Sequence, residues 1–125
     1  MQVKDMMNEV YSLSEDIALS KIAQIMSSKK IGEIVFVSGG KIKGIITEDD
    51  IVRNFDKDKK IKEVMTADVK VIEDEESMDK ALDMMNDYGV KRLPVVNTDG
   101  KLIGIVRLID VARHAKELEE DYFFD

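Results

Sequence analysis

The chain has no cysteine, no tryptophan, one histidine, one proline and only 6% aromatic residues. Without cysteine there can be no disulfide, thiolate metal site or thiol nucleophile; a reducing cytoplasm fits this, as would other compartments, and a cytoplasmic setting is the expectation. Positive charge is the minority sign, with 19 Lys and Arg against 26 Asp and Glu and a net charge of −7. Such a chain repels the phosphate backbone, so nucleic acid is not an expected partner. Long apolar runs are absent as well. The longest stretch of large aliphatic or aromatic residues is about four, Ile34 to Val37, and MQVKDMMNEV reads as no secretory leader, so neither secretion nor membrane insertion is expected.

What is present is a sequence of 125 residues, 44% apolar and 36% charged, the composition of one folded globular unit. It is also written twice. GIITEDDIVR begins at Gly44, and GIVRLIDVAR begins sixty residues later at Gly104. VKDMM (Val3 to Met7) matches IKEVM (Ile61 to Met65) at an offset of 58, and IAQIMSSKKI (Ile22 to Ile31) matches ALDMMNDYGV (Ala81 to Val90) at 59. Two one-residue insertions explain the drift, one of them where SGGK becomes NTDGK, in a turn. The expected division is residues 1–58 and 59–125, joined by the charge-rich stretch DKDKKIK (Asp56 to Lys62), read as a solvated linker.

Each copy carries one order of elements, β-α-β-β-α. Short strands are expected at Val10 to Leu13 and Val69 to Ile72. Helices follow, because Leu19, Ile22, Ala23 and Met26, like Met78, Ala81, Leu82 and Met85, recur at i, i+3, i+4 and i+7. Gly89 is placed to end the second of these. Ile34 to Val37 with Ile42 to Ile46, and Leu93 to Val96 with Leu102 to Val106, read as hairpins around Gly39-Gly40 and Asp99-Gly100. Pro94 is expected at a strand start.

The repeated corner from strand to helix carries the chemistry. Thr47 is a good N-cap with Asp50 as its capping-box partner, whereas Arg107 cannot cap through an oxygen although Asp110 remains. The same corner could bind a ligand. A hydroxyl (Thr47) or a guanidinium (Arg107) near free helix amides suits a phosphate, and a carboxylate one turn on (Asp50, Asp110) suits ribose hydroxyls. Ile46, Val106, Val10 and Val69 could flank an adenine. Gly44 and Gly104 would either admit close backbone approach or mark a bulge.

The strings VMT, LPVVNTDGKLIGIV and GIITEDD, within Ile61 to Arg113 and a more diverged Val3 to Arg53, resemble a tandem pair of cystathionine beta-synthase (CBS) domains over nearly the whole chain. The resemblance implies an α+β fold of two β-α-β-β-α repeats related by a pseudo-twofold axis. It also implies inter-repeat clefts for adenosyl ligands: AMP, ADP, ATP or S-adenosylmethionine. Thr47, Asp50 and Asp110 match the family's GhhTxxD pattern, from which Arg107 departs. Lys91 and Arg92 fall where phosphate-facing basic residues occur in members, while the first copy has Gly32 and Glu33 there, so the two sites should differ in affinity. Thr66 and Pro94, from the other strings, complete the expected ligand-binding set.

The function this implies is a regulatory, ligand-sensing, non-catalytic module that acts on a partner protein in trans and forms a homodimer. The rival is a dimerisation or assembly module with empty clefts, to which the apolar second helices and eight methionines are suited. Catalysis by Asp50 and Asp110 is not expected, since no nucleophile is near and no metal-ligand spacing appears; His114 reads as an ordinary surface residue. Tyr122, Phe123 and Phe124 read as a frayed tail or an aromatic plug at a dimer surface.

Overall fold

The computed structural model describes residues 1–115. They form two compact units, Val10–Val69 and Met1–Glu9 together with the chain from Lys70 on. In the first, β1 (Ser12–Leu13) lies parallel to β2 (Glu33–Ser38), which pairs antiparallel with β3 (Lys41–Thr47). Helix α1 (Leu19–Lys29) lays its stripe of Leu19, Ile22 and Met26 on Ile34, Phe36 and Ile46. Each fully buried aliphatic side chain there contributes about 1.5–3 kcal/mol. Two short helices complete the unit, α2 (Glu48–Arg53) and α3 (Ile61–Val64).

The second unit repeats the plan. β4 (Ile72–Glu73) is parallel to β5 (Arg92–Val96), and β5 is antiparallel to β6 (Leu102–Arg107). α4 (Met78–Tyr88) buries Met78, Ala81 and Met85 against Leu93, Val95 and Val106, and α5 is helical over 108–115. The expected β-α-β-β-α order therefore holds in both copies. Gly89 ends α4 at φ 64, but its counterpart in α1 is Lys30 at φ 56, a left-handed conformation that costs a non-glycine residue about 1 kcal/mol or more.

The repeats in the sequence and the units in space are not the same stretches, because each copy's leading segment closes the other copy's core. Val3 is fully buried beside Ile72, Met78 and Leu93, and its N–H donates to the carbonyl of Glu76 at 2.8 Å. Reciprocally, Ile61 is fully buried beside Ile22, Ile34 and Phe36, and its N–H donates to the carbonyl of Ile17 at 3.0 Å. The second half of the expected linker is thus an anchor. Lys62 N–H donates to Asp16 Oδ1 at 3.0 Å, and Lys62 Nζ stands 5.5 Å from the Phe36 ring centroid. A single turn of apolar spacing, Ile61 with Val64 and Met65, after a run of charges is too short to read as a core element, yet the burial of Ile61 outweighs the solvation of its charged neighbours.

Two strand expectations shift. The second leading strand is Ile72–Glu73 rather than Val69 to Ile72, set by its pairing with Val95 and Val96. Pro94 lies mid-strand and buried in β5, opposite Ile105. It is tolerated there because β4 begins its pairing one residue later, at Val95. Tyr122, Phe123 and Phe124 lie outside the described residues.

Candidate functional site

Two equivalent corners result, β3 into α2 and β6 into α5. In the first, Thr47 has extended φ −122 and ψ 170, and its N–H donates to Asp50 Oδ2 at 2.9 Å. Thr47 Oγ1 lies 3.3 Å from the same oxygen, and the Asp50 carbonyl accepts from Asn54 Nδ2 at 2.8 Å. The first helical amide, Glu48 N–H, donates to the Gly32 carbonyl at 3.1 Å. The expected cap at Thr47 is therefore formed, and it holds the Asp50 carboxylate by one oxygen.

The second corner keeps the path and changes the chemistry. Leu108 N–H donates to the Lys91 carbonyl at 2.8 Å, as Glu48 does to Gly32. Around Asp110, Arg107 Nη1 lies 3.6 Å from Oδ2 and Arg113 Nη1 lies 3.9 Å from Oδ1. A third group, Asn8 Nδ2, donates to Oδ2 at 2.8 Å. Sequence reasoning missed Asn8. Its signal was there, for the match of VKDMM to IKEVM extends one residue further, setting Asn8 against Thr66.

That extension explains both repeated glycines. Asn8 N–H donates to the Ile105 carbonyl at 2.8 Å and Ile105 N–H donates to the Asn8 carbonyl at 3.0 Å; Thr66 and Ile45 exchange the same two bonds at 2.9 and 3.0 Å. Each leading segment thus crosses a strand at its glycine. A Cβ on Gly104 would stand 2.9 Å from the Asn8 carbonyl oxygen and 3.0 Å from Met7 Sδ, and one on Gly44 would meet the Met65 side chain, its Cγ at 2.7 Å. The bulge reading of these glycines holds, since each borders a register shift that leaves Lys43 or Ile103 as the extra residue, and the group that approaches each is the chain's own leading segment.

Charge separates the corners. Glu48, Asp49 and Asp50 occupy the first turn of α2, and Glu33, only 2% exposed, is in register with Thr47. In the second copy the register pair is Arg92 with Arg107, next to exposed Lys91. Of the other expected residues, Ile46 and Val106 are fully buried in their units' cores, Val10 and Val69 are half-buried, and Pro94 is buried. The Thr66 side chain is exposed while its backbone holds Ile45. Among the described residues no cluster of His, Cys, Asp or Glu could hold a metal, and no helix is long and apolar enough to cross a membrane.

The model of the CBS domain matches the chain twice, over residues 3–57 and 61–117. The chain belongs to the CBS domain family. It is 36% identical over 109 residues to an uncharacterized 17.7 kDa protein in the bps2 3′ region of Acidianus ambivalens, covering 84% of this chain and 66% of that one. It is 34% identical over 109 residues to inosine-5′-monophosphate dehydrogenase of Methanocaldococcus jannaschii, covering 86% of this chain but 22% of the enzyme. The chain thus spans less than two thirds of either protein. In structure it is similar to the CBS domain pair of protein MJ0100 in complex with 5′-methylthioadenosine and S-adenosyl-L-methionine, with a TM-score of 0.87, 28% identity and coverage of 94% and 97% of the two chains.

Proposed function

We propose that the chain is a sensing module that binds adenosyl compounds at the corners bearing Asp50 and Asp110, and that it regulates a partner protein rather than catalysing a reaction. The observation that carries this reading is the pair of carboxylates at equivalent corners, each accepting a hydrogen bond of 2.8 or 2.9 Å on one oxygen from a group of its own unit. A carboxylate so fixed is preorganised to accept from vicinal hydroxyls. Family membership and the adenosyl ligands of the MJ0100 pair support the choice of ligand class. The acidic surroundings of Thr47 suit an uncharged or sulfonium-bearing compound, and Lys91, Arg92 and Arg107 suit a phosphorylated one. A partner in trans and the cytoplasmic setting expected from the sequence belong to the same reading.

A thermal-shift screen with 5′-methylthioadenosine, S-adenosylmethionine, AMP, ADP and ATP tests it. Ligand at a hundred times its dissociation constant should stabilise the fold by about 2.7 kcal/mol. Asp50→Ala combined with Asp110→Ala should abolish the shift. A flat response to every compound would rule the reading out.

Assembly is the second reading, favoured by apolar exposure on the second helices and just past the end of α2. Val52 is 67% and Phe55 82% exposed, and Leu108 and Ile109 are 39% and 54% exposed. Self-association through these faces gives a homodimer, and sedimentation should show Val52→Ser with Phe55→Ser shifting the chain toward monomer.

A further inference from the structure

Lys29 Nζ stands 5.0 Å from the centroid of the Tyr11 ring in the first unit, and Lys70 Nζ stands 4.8 Å from that of Tyr88 in the second. Both distances are those of a cation–π contact. The offset of 59 that aligns α1 with α4 sets Tyr11 against Lys70 and Lys29 against Tyr88, so cation and ring have changed places between the copies. The contact survives the exchange. Either change alone would leave two lysines or two tyrosines facing each other, and a pairing kept through both changes is one the fold uses. In each unit it ties a residue ahead of the two-residue leading strand to the last residue of the helix that follows.

The backbone supports the two ties unequally. In the first unit Val35 N–H donates to the Tyr11 carbonyl at 3.0 Å. The residue matching Val35 is Pro94, which has no N–H to offer Lys70, and β4 pairs with β5 only from Ile72 on. The second copy therefore lacks a backbone bond that the first has. Tyr11 and Lys70 each directly follow a half-buried valine, Val10 and Val69, the two read from the sequence as flanking an adenine.

We infer that the exchanged pairs are positioning clamps: Lys29 acting through Tyr11, and Tyr88 acting through Lys70, hold Val10 and Val69 in place as walls for the base of a bound adenosyl compound. This rests on the proposed adenosyl reading. The tyrosine hydroxyls have no part in it, because the cation meets the face of the ring.

The test titrates adenosine into the full chain by NMR, with the valine methyl groups as reporters. In the unaltered protein the methyls of Val10 and Val69 should shift through the ring current of the adenine. Tyr88→Leu removes the ring and keeps apolar bulk. A contact of this kind at an exposed position is worth about two- to fivefold in an equilibrium constant, so the affinity read at Val69 should fall by about that factor. Val10 should respond as before. Tyr88→Phe keeps the ring face and should restore the Val69 response, while Lys29→Met should weaken the response at Val10 and spare Val69; melting temperatures show that each variant folds. An unchanged Val69 response in Tyr88→Leu overturns the inference and leaves the adenosyl reading intact. So does an equal loss in Tyr88→Phe, which would assign the effect to the hydroxyl, or an equal loss at both valines, which would mark general loosening. If adenosine shifts other resonances but neither valine, the walls are elsewhere and the inference falls alone. If adenosine shifts nothing, the adenosyl reading fails instead. The clamp then answers without ligand: the Lys70 side-chain protons should lie upfield, shielded by the Tyr88 ring, in the unaltered chain and in Tyr88→Phe, and positions equal to those in Tyr88→Leu refute it.

Discussion

Replacing Gly104 by alanine should injure the protein more than replacing Gly44, although the added methyl at Gly44 meets the nearer atoms. At Gly104 the obstacle is backbone, the Asn8 carbonyl oxygen at 2.9 Å. An ordinary carbon–oxygen contact is about 3.3–3.6 Å, so the leading segment must retreat by roughly half an ångström. That retreat stretches the two bonds between Asn8 and Ile105 from 2.8 and 3.0 Å toward the limit of hydrogen bonding. Overpacking costs about 1–3 kcal/mol and weakening two hydrogen bonds adds to it, while the stiffer unfolded chain returns about 0.4–1 kcal/mol. The net loss should be about 2 kcal/mol. At Gly44 the obstacle is the flexible thioether end of half-buried Met65, which can rotate away, so the net change should stay below about 1 kcal/mol. Urea titration measures both, and for a domain of this size the first loss corresponds to roughly 8 °C in melting temperature. Equal losses, or a larger one at Gly44, would refute the claim that the crossing backbone is what requires glycine at Gly104.

Other consequences are equally direct. Lys30→Gly should stabilise the chain by about 0.5–1 kcal/mol, since it relieves a left-handed lysine, whereas Gly89→Ala at the equivalent helix end should destabilise it by a similar amount; thermal melts read both. Val3→Ala should cost roughly 1–3 kcal/mol, and its hydrogen-exchange footprint should fall on α4 and β5 rather than on the first copy. Ile61→Ala, at roughly 2–5 kcal/mol, should loosen α1 and β2 instead.

Legibility followed the range of the forces involved. The helices were readable because Leu19, Ile22 and Met26 obey a local period, and the hairpins because Gly39, Gly40 and Gly100 take the positive φ their turns require. The cap at Thr47 was readable for the same reason, its partners being three residues apart. What escaped was set by residues distant in the chain. Ile61 shares one turn of helical period with Val64 and Met65, too short a run after DKDKK to mark a core element, so only the pocket it fills explains its burial. Residues Val69 to Ile72 could serve as a strand at several registers, and the choice was made by Val95 and Val96. Asn8 looks like any polar residue in a polar segment until the fold sets it against Asp110. Ile46 and Val106, apolar at a corner, were readable as apolar but not as core.

The crossed leading segments bear on ancestry. A progenitor with a single copy that kept this exchange would have closed its hydrophobic centre with the front end of a sibling chain, and duplication would turn that exchange between molecules into one within a molecule. For the same reason scission after residue 58 strands Val3 on one fragment and its core on the other, so the two pieces should recover native structure only when mixed.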